Sequence, residues 1–133
     1  MSKRIPLQTE SDLLFARQAA REMMREMGFG SADQTRMATA ISELARNVLK
    51  YAGEGTCTLI DEQDEREMVL RVVVEDNGPG ITNIDQAMED GFTTGNGLGA
   101  GLPGAKRLVN NFDIASEPGY TKITMEIRRH ANK

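Results

Sequence analysis

The sequence is poor in the side chains that carry most metal and redox chemistry. Cys57 is the only cysteine and His130 the only histidine among 133 residues. One thiol excludes an internal disulfide, and one Cys with one His cannot furnish a zinc site. Cys57 sits among Thr56, Thr58 and Leu59 and reads as a small strand residue rather than a nucleophile. No apolar run approaches the ~18 residues of a spanning helix, and the first residues lack a signal-peptide core, so the expected location is the cytoplasm. The net charge of −4 gives no global attraction to nucleic acid or to an anionic membrane, and neither is expected as a partner. There is no internal repeat and no long linker, and the length fits a single domain spanning 1–133. The basic cluster Arg128, Arg129, His130 and Lys133 reads as a solvated tail.

Hydrophobic spacing supplies the elements. Residues 1–8 suit a short strand or arm. Thr9 or Ser11 can cap a helix to about Met27, with Leu13, Ala16, Ala20, Met23, Met24 and Met27 on one face and Gly28 ending it. Ser31 with Gln34 suggests a capping box for a second helix, whose stripe is Met37, Ile41, Leu44, Ala45, Val48 and Leu49 and which Gly53 closes. The methionines read as core filler. Thr56 to Ile60 and Met68 to Val74 read as a strand hairpin, the second strand apolar enough to be central. A short helix is expected around Ile84 to Met88 and another over Ala105 to Asn110. Strands near Asp113 to Ser116 and Thr121 to Ile127 then flank Pro118-Gly119-Tyr120. Strand pairs with helices massed elsewhere argue an α+β fold, helices on one face of a sheet.

Three segments carry chemistry. Glu43 and Asn47 are four apart on the second helix and share a face. A carboxylate and an amide so placed can hold Mg²⁺ and orient a hydroxyl, while the plainer reading is a solvated face with Arg46 and Lys50 as partners. Asp76-Asn-Gly-Pro-Gly80 leaves the apolar strand. Its Asp accepts hydrogen bonds and suits an exocyclic amine such as adenine N6, and Gly78 and Gly80 let a flat base approach the backbone. The plainer reading is an ordinary turn. The third segment, residues 91–104, carries Gly91, Gly95, Gly97, Gly99, Gly101 and Gly104 ahead of a helix, an arrangement that offers bare N–H groups to phosphate. Gly99 to Gly104 matches G-x-G-x-x-G, but Thr93-Thr-Gly-Asn-Gly precedes it instead of a buried strand, which rejects a dinucleotide site. No G-x-x-x-x-G-K-[ST] occurs, so a P-loop is excluded. Pro103 fits the first turn of the helix behind.

In this order and spacing the three segments resemble the Bergerat (GHKL) ATP-binding fold of gyrase-type ATPases, Hsp90, histidine kinases and MutL, over residues from about 31 to 127. The segments Ser42-Glu-Leu-Ala-Arg-Asn47, Tyr51-Ala-Gly53, Glu75-Asp-Asn-Gly-Pro-Gly-Ile81, Asp90-Gly-Phe-Thr-Thr94 and Gly97-Leu-Gly-Ala-Gly-Leu-Pro-Gly104 look like the RsbT-type stressosome kinases, bacterial serine/threonine switch kinases. The resemblance implies a two-layer sandwich of helices on one face of a mixed, mostly antiparallel sheet, with ATP and Mg²⁺ as cofactors. It assigns Asn47 to Mg²⁺, Glu43 as general base, and Asp76 to adenine with Gly78 and Gly80 at the base. Gly97, Leu98, Gly99, Ala100, Gly101 and Leu102 fall on the phosphates, and residues 81–99 on a lid. A Thr following a Gly on a late strand supports the adenine site through water in that family; Thr121 is the match, with Tyr120 where Gly is expected and Gly119 one earlier. Lys106 and Arg107 are candidates for phosphate contacts.

The implied activity is phosphoryl transfer to STAS-domain scaffold and antagonist proteins of a stressosome, followed by release to activate a downstream regulator such as a PP2C-type phosphatase. The competing reading is an anti-sigma-type sequestering module with nucleotide as a structural ligand; Glu43 favours catalysis, because binding alone needs no base. A histidine-kinase catalytic domain would want a phosphoacceptor His, and only His130 is present. A gyrase- or MutL-like ATPase would need a transducer domain, for which 133 residues leave no room.

Overall fold

The computed structural model describes residues 1–81, 88 and 101–131. Five strands form one sheet in the order β1-β2-β3-β5-β4. They are β1 (Ser2–Leu7), β2 (Gly55–Asp61), β3 (Glu67–Asp76), β4 (Asn111–Glu117) and β5 (Tyr120–His130). Every pairing among the described residues is antiparallel. Helices α1 (Glu10–Met27), α2 (Ser31–Asn47) and α3 (Gly101–Leu108) account for the second layer. The expected helix around Ile84 to Met88 and the lid span lie almost wholly outside the described residues. No helix among the described residues is long and apolar enough to cross a membrane.

Period-two alternation decides which side of the sheet the helices cover. On β3, Leu70, Val72 and Val74 join the core, as do Ile123, Met125 and Ile127 on β5 and Cys57 and Leu59 on β2. Against them pack Leu13, Ala16, Ala20 and Met24 of α1 and Met37, Ile41 and Leu44 of α2. Met23, Met24, Met27, Met37, Met68 and Met125 are all buried, so these six methionines are core filler, while Met1 is exposed. Burial pushes the Cys57 thiol up to about 12, which leaves it protonated and inert.

The ends of α1 follow the sequence. Thr9 caps it in a capping box with Asp12, and Gly28 terminates it at φ 105°. The start of α2 does not. Gly30 is its N-cap, Ser31 is already helical, and no side chain caps the end. Gln34, expected to reach back to Ser31, gives its Nε2 to the carbonyl of Phe29 at 3.0 Å. The extended backbone at Gly30 takes the cap position, and the Gln34 N–H bonds to the Gly30 carbonyl at 3.1 Å.

Two further differences bear on the ends of the molecule. Helix α2 opens into a π-helical turn over Val48–Ala52, closed by a Gly53 N–H to Val48 carbonyl bond of 2.9 Å. The wider turn rotates the residues after Asn47, so Leu49, expected in the core, is only half-buried. Two members of the basic cluster near the C-terminus are not part of a solvated tail, while His130 is exposed and Lys133 lies outside the described residues. Arg128 and Arg129 lie in β5 and are ion-paired. The Arg129 guanidinium grips both oxygens of Asp33, itself only 8% exposed at the start of α2, at 2.8 and 2.7 Å. Arg128 bonds Glu67 and Glu126 at 3.0 Å each, and Glu126 passes on to Arg71 at 3.0 Å. The ten-residue register of β3 on β5 carries these arginines into the sheet.

Candidate functional site

The opposite end of the sheet gathers the predicted site residues. Asp76 ends β3 directly across from Thr121, and Thr121 in turn faces Ser116 of β4. Alternation puts all three on the helix-facing side, continuing the rows of buried Val74 and Ile123 and partly buried Ile114. They form one polar row across three strands where the apolar core runs out. Thr121 is 5% exposed and its Oγ1 lies 2.7 Å from Ser116 Oγ. Tyr120, standing where the resembling family has glycine, does not displace it. Its neighbour position in the strand sends it to the other face, where its hydroxyl donates to Glu75 at 2.6 Å. That carboxylate holds the Tyr120 phenol above its ordinary pKa.

The turn after Asp76 is shaped by close packing. Asp76 Oδ1 accepts the Gly78 N–H at 2.9 Å, which leaves Oδ2 without a hydrogen bond among the described residues. A Cβ at Gly78 would come within 2.6 Å of the Cβ of Ala52, the last residue of the π-helical turn. Gly80 has φ +85° and abuts the Glu117 carbonyl. The Cβ directions of both glycines are thus filled by protein, so their small size seats the turn between α2 and the β4–β5 hairpin. The Ile81 N–H then donates to Ser116 Oγ at 2.8 Å, which ties the turn to the polar row.

Glu43 and Asn47 lie one turn apart near the end of α2. The Glu43 side chain is 12% exposed, so the solvated-face reading does not describe it. Its partner is Arg46, at 3.5 Å and largely in solvent, a long ion pair that leaves the carboxylate available. Lys50 turns instead over the Tyr51 ring, 5.2 Å from its centre. Asn47 is half-buried, and among the described residues its carboxamide makes no hydrogen bond. Two strong polar groups with spare capacity therefore stand on one helix face.

Helix α3 starts at Gly101, four residues earlier than expected, and ends at Leu108 rather than Asn110. Pro103 in its first turn lacks an N–H where none is needed, and burial of Leu102 and Ala105 holds the helix to the core. Asn110 is drawn out of the helix by accepting the Arg128 N–H at 2.7 Å. With its side chain in the core, Leu102 can offer a ligand its main-chain N–H alone, beside that of Gly101. Lys106 and Arg107 are exposed on α3. Gly97, Leu98, Gly99 and Ala100 lie outside the described residues.

Sequence reasoning missed Ser116 and the π-helical turn. The first was legible in principle, since the two-residue Pro118-Gly119 connection pairs Glu117 with Tyr120 and hence Ser116 with Thr121.

No cluster of three or more Asp, Glu, His or Cys side chains suited to a metal occurs among the described residues. Mg²⁺ is commonly held by substrate phosphates with one or two protein oxygens rather than by an all-protein cage. The Asn47 carboxamide oxygen, without a hydrogen bond among the described residues, could serve as such a ligand.

The family of histidine kinase-, DNA gyrase B- and HSP90-like ATPases matches residues 32–131. The serine/threonine-protein kinase RsbT of Bacillus subtilis is 49% identical over 115 residues, 86% of this chain and 86% of its own. The anti-sigma F factor of Clostridium acetobutylicum is 33% identical over 94 residues, with 65% of this chain and 64% of its own length covered. Among solved structures, the RsbU and RsbW domains of a Mycobacterium tuberculosis protein match with a TM-score of 0.70 at 21% identity, over 100% of this chain and 33% of that one. At that identity the likeness is one of fold.

Proposed function

The chain belongs to the histidine kinase-, DNA gyrase B- and HSP90-like ATPase family and, within it, to the RsbT-type serine/threonine-protein kinases, and from that premise we propose that it moves the γ-phosphoryl group of ATP to a Ser or Thr hydroxyl on a STAS-domain protein of a stressosome. Asp76 takes the adenine amine through its second carboxylate oxygen, Thr121 supports the base, and Gly78 and Gly80 hold the turn beside it. The helix start at Gly101 and Leu102, with the glycines before it, takes the phosphates. Asn47 holds Mg²⁺, which neutralises phosphate charge when bound.

Glu43 accepts the proton of the acceptor hydroxyl as its oxygen bonds to the γ-phosphorus and the bond from that phosphorus to the β-bridging oxygen breaks, releasing ADP. The transfer is governed by positioning and charge, and a correctly aimed base contributes about two to four orders of magnitude. The observation that carries this reading is Glu43 itself, nearly buried one turn before Asn47, with a single weak charge partner among the described residues. A sequestering module would bind nucleotide through Asn47 and Asp76 and have no use for such a carboxylate. The likeness to an anti-sigma factor keeps that second reading in play. In the kinase reading the chain acts in the cytoplasm and, once its substrates are phosphorylated, is released to a regulator such as a PP2C-type phosphatase.

The test is incubation of purified protein with γ-labelled Mg-ATP and a STAS-domain partner. Label on Ser or Thr of the partner is the expected result. Tight nucleotide binding with no transferred label would favour sequestration.

A further inference from the structure

We propose that Ser116 is a positioning residue that sets the nucleotide preference of the site by fixing the direction of the Thr121 hydroxyl. The inference rests on the adenine assignment made above and extends it to a residue outside the predicted set.

A serine hydroxyl has one proton and two lone pairs. Ser116 Oγ already accepts the Ile81 N–H at 2.8 Å. Its own proton has two possible acceptors. Thr121 Oγ1 lies at 2.7 Å and the Tyr120 carbonyl at 3.5 Å. The short contact is at the ideal separation for two hydroxyls and the long one at the limit of bonding. Either hydroxyl could donate across the short contact, and we assign the Ser116 proton to Thr121 Oγ1. Thr121, 5% exposed, then has its own proton left to give. The same row places Asp76 directly across from it, with Oδ1 taken by Gly78 and Oδ2 able to accept.

The row therefore presents an acceptor and a donor side by side. Adenine offers the complement, an exocyclic amine beside a ring nitrogen that accepts, reached directly or through a water. Guanine offers a carbonyl beside a ring N–H and meets both groups with the wrong polarity. Asp76 alone distinguishes one position of the base. Ser116 makes the second position count, because without it the Thr121 proton is free to turn away. Its bond to Ile81 also holds the end of the turn that carries Asp76.

Thr and Val at position 116 have nearly the same shape and differ in the hydroxyl, and both suit an edge strand. Titration calorimetry of the full chain with Mg-ATP and with Mg-GTP is expected to show Ser116→Thr within about twofold of the native protein. Ser116→Val is expected to bind ATP about tenfold more weakly, the ordinary consequence of orphaning one or two buried hydrogen-bonding groups. Its preference for ATP over GTP should fall with it, a change that loss of packing alone would not bring. Thr121→Val removes the same donor from the other side and is expected to lower the preference equally, which keeps the test open even where Ser116→Val does not fold. An unchanged ATP to GTP ratio in Thr121→Val, or equal impairment of Ser116→Thr and Ser116→Val, overturns the proposal. Failure of the native protein to bind ATP would overturn the nucleotide reading beneath it, a separately visible outcome.

Discussion

The two ends of the central sheet are built from the same kinds of residue and end in opposite states. At one end Asp33, Glu67, Arg71, Glu126, Arg128 and Arg129 satisfy one another in short ion pairs, most at 2.7–3.0 Å. At the other, counting described residues alone, Glu43 has one partner at 3.5 Å, Asp76 has an oxygen to spare and the Asn47 amide is unpaired. Charge density does not tell a site from a buttress; unspent hydrogen-bonding capacity does. The paired end holds β5 to α2 and to β3. The other end keeps hydrogen-bonding capacity that no described residue uses.

Substitutions at the two ends should therefore separate function from stability. The largest effect is expected for Glu43→Gln. It should cut phosphoryl transfer by about 10²–10⁴-fold, the usual contribution of a general base, with nucleotide binding retained. Single-turnover assays with matched calorimetry check this, and unaltered transfer would remove the general-base role. Asp76→Asn should weaken ATP binding by roughly ten- to a hundredfold, since a charge-assisted hydrogen bond is worth about 1.5–3 kcal/mol. Equal affinity by calorimetry would sink the adenine assignment.

The reverse pattern is expected at the paired end. Arg129→Ala leaves the nearly buried Asp33 with Arg36 alone, at 2.8 Å. A fully buried pair broken on one side costs about 3–5 kcal/mol, and the partial exposure of Arg129 lowers this to about 1–2 kcal/mol. Thermal unfolding should show that loss while the ATP affinity stays put. A variant that lost ATP binding without losing stability would erase the distinction between the ends.

Gly78→Ala tests the joint between them. The added methyl would meet Ala52 at 2.6 Å, and overpacking of this kind costs about 1–3 kcal/mol. Both stability and nucleotide affinity should fall, because the same turn carries Asp76.

The last test is alkaline. The Cys57 thiol has its pKa raised by burial to about 12 from 9.0. The unfolded chain ionises first, so stability is intact below pH 9 and declines between pH 9 and about 12, by at most about 1.4 kcal/mol per pH unit. Cys57→Ala should flatten that part of the stability profile; an unchanged slope would assign it to other groups.

Much of this contrast was readable from local pattern. Helical spacing located α1 and the core face of α2, a polar connection between two strand-like runs marked the β2–β3 hairpin, and turn residues marked the Asp76 to Gly80 exit. Local pattern failed where the partner is distant in sequence. Arg128 and Arg129 look like a solvated basic tail because nothing nearby reveals Asp33, 96 residues from Arg129. Thr121 looked misplaced beside Tyr120 because spacing from a glycine is a poor guide to strand register. Pairing with Asp76 fixes its position instead. The π-helical turn leaves no periodic signature, and its purpose emerges only when Ala52 meets Gly78.

Backbone amide chemical shifts, followed as Mg-ADP is added to the native protein, test the division most directly. Perturbations should centre on Asn47, Asp76 to Ile81, Ser116 and Thr121, with the amides of Asp33, Glu67 and Arg128 nearly still. Perturbations centred on that second group would contradict the account.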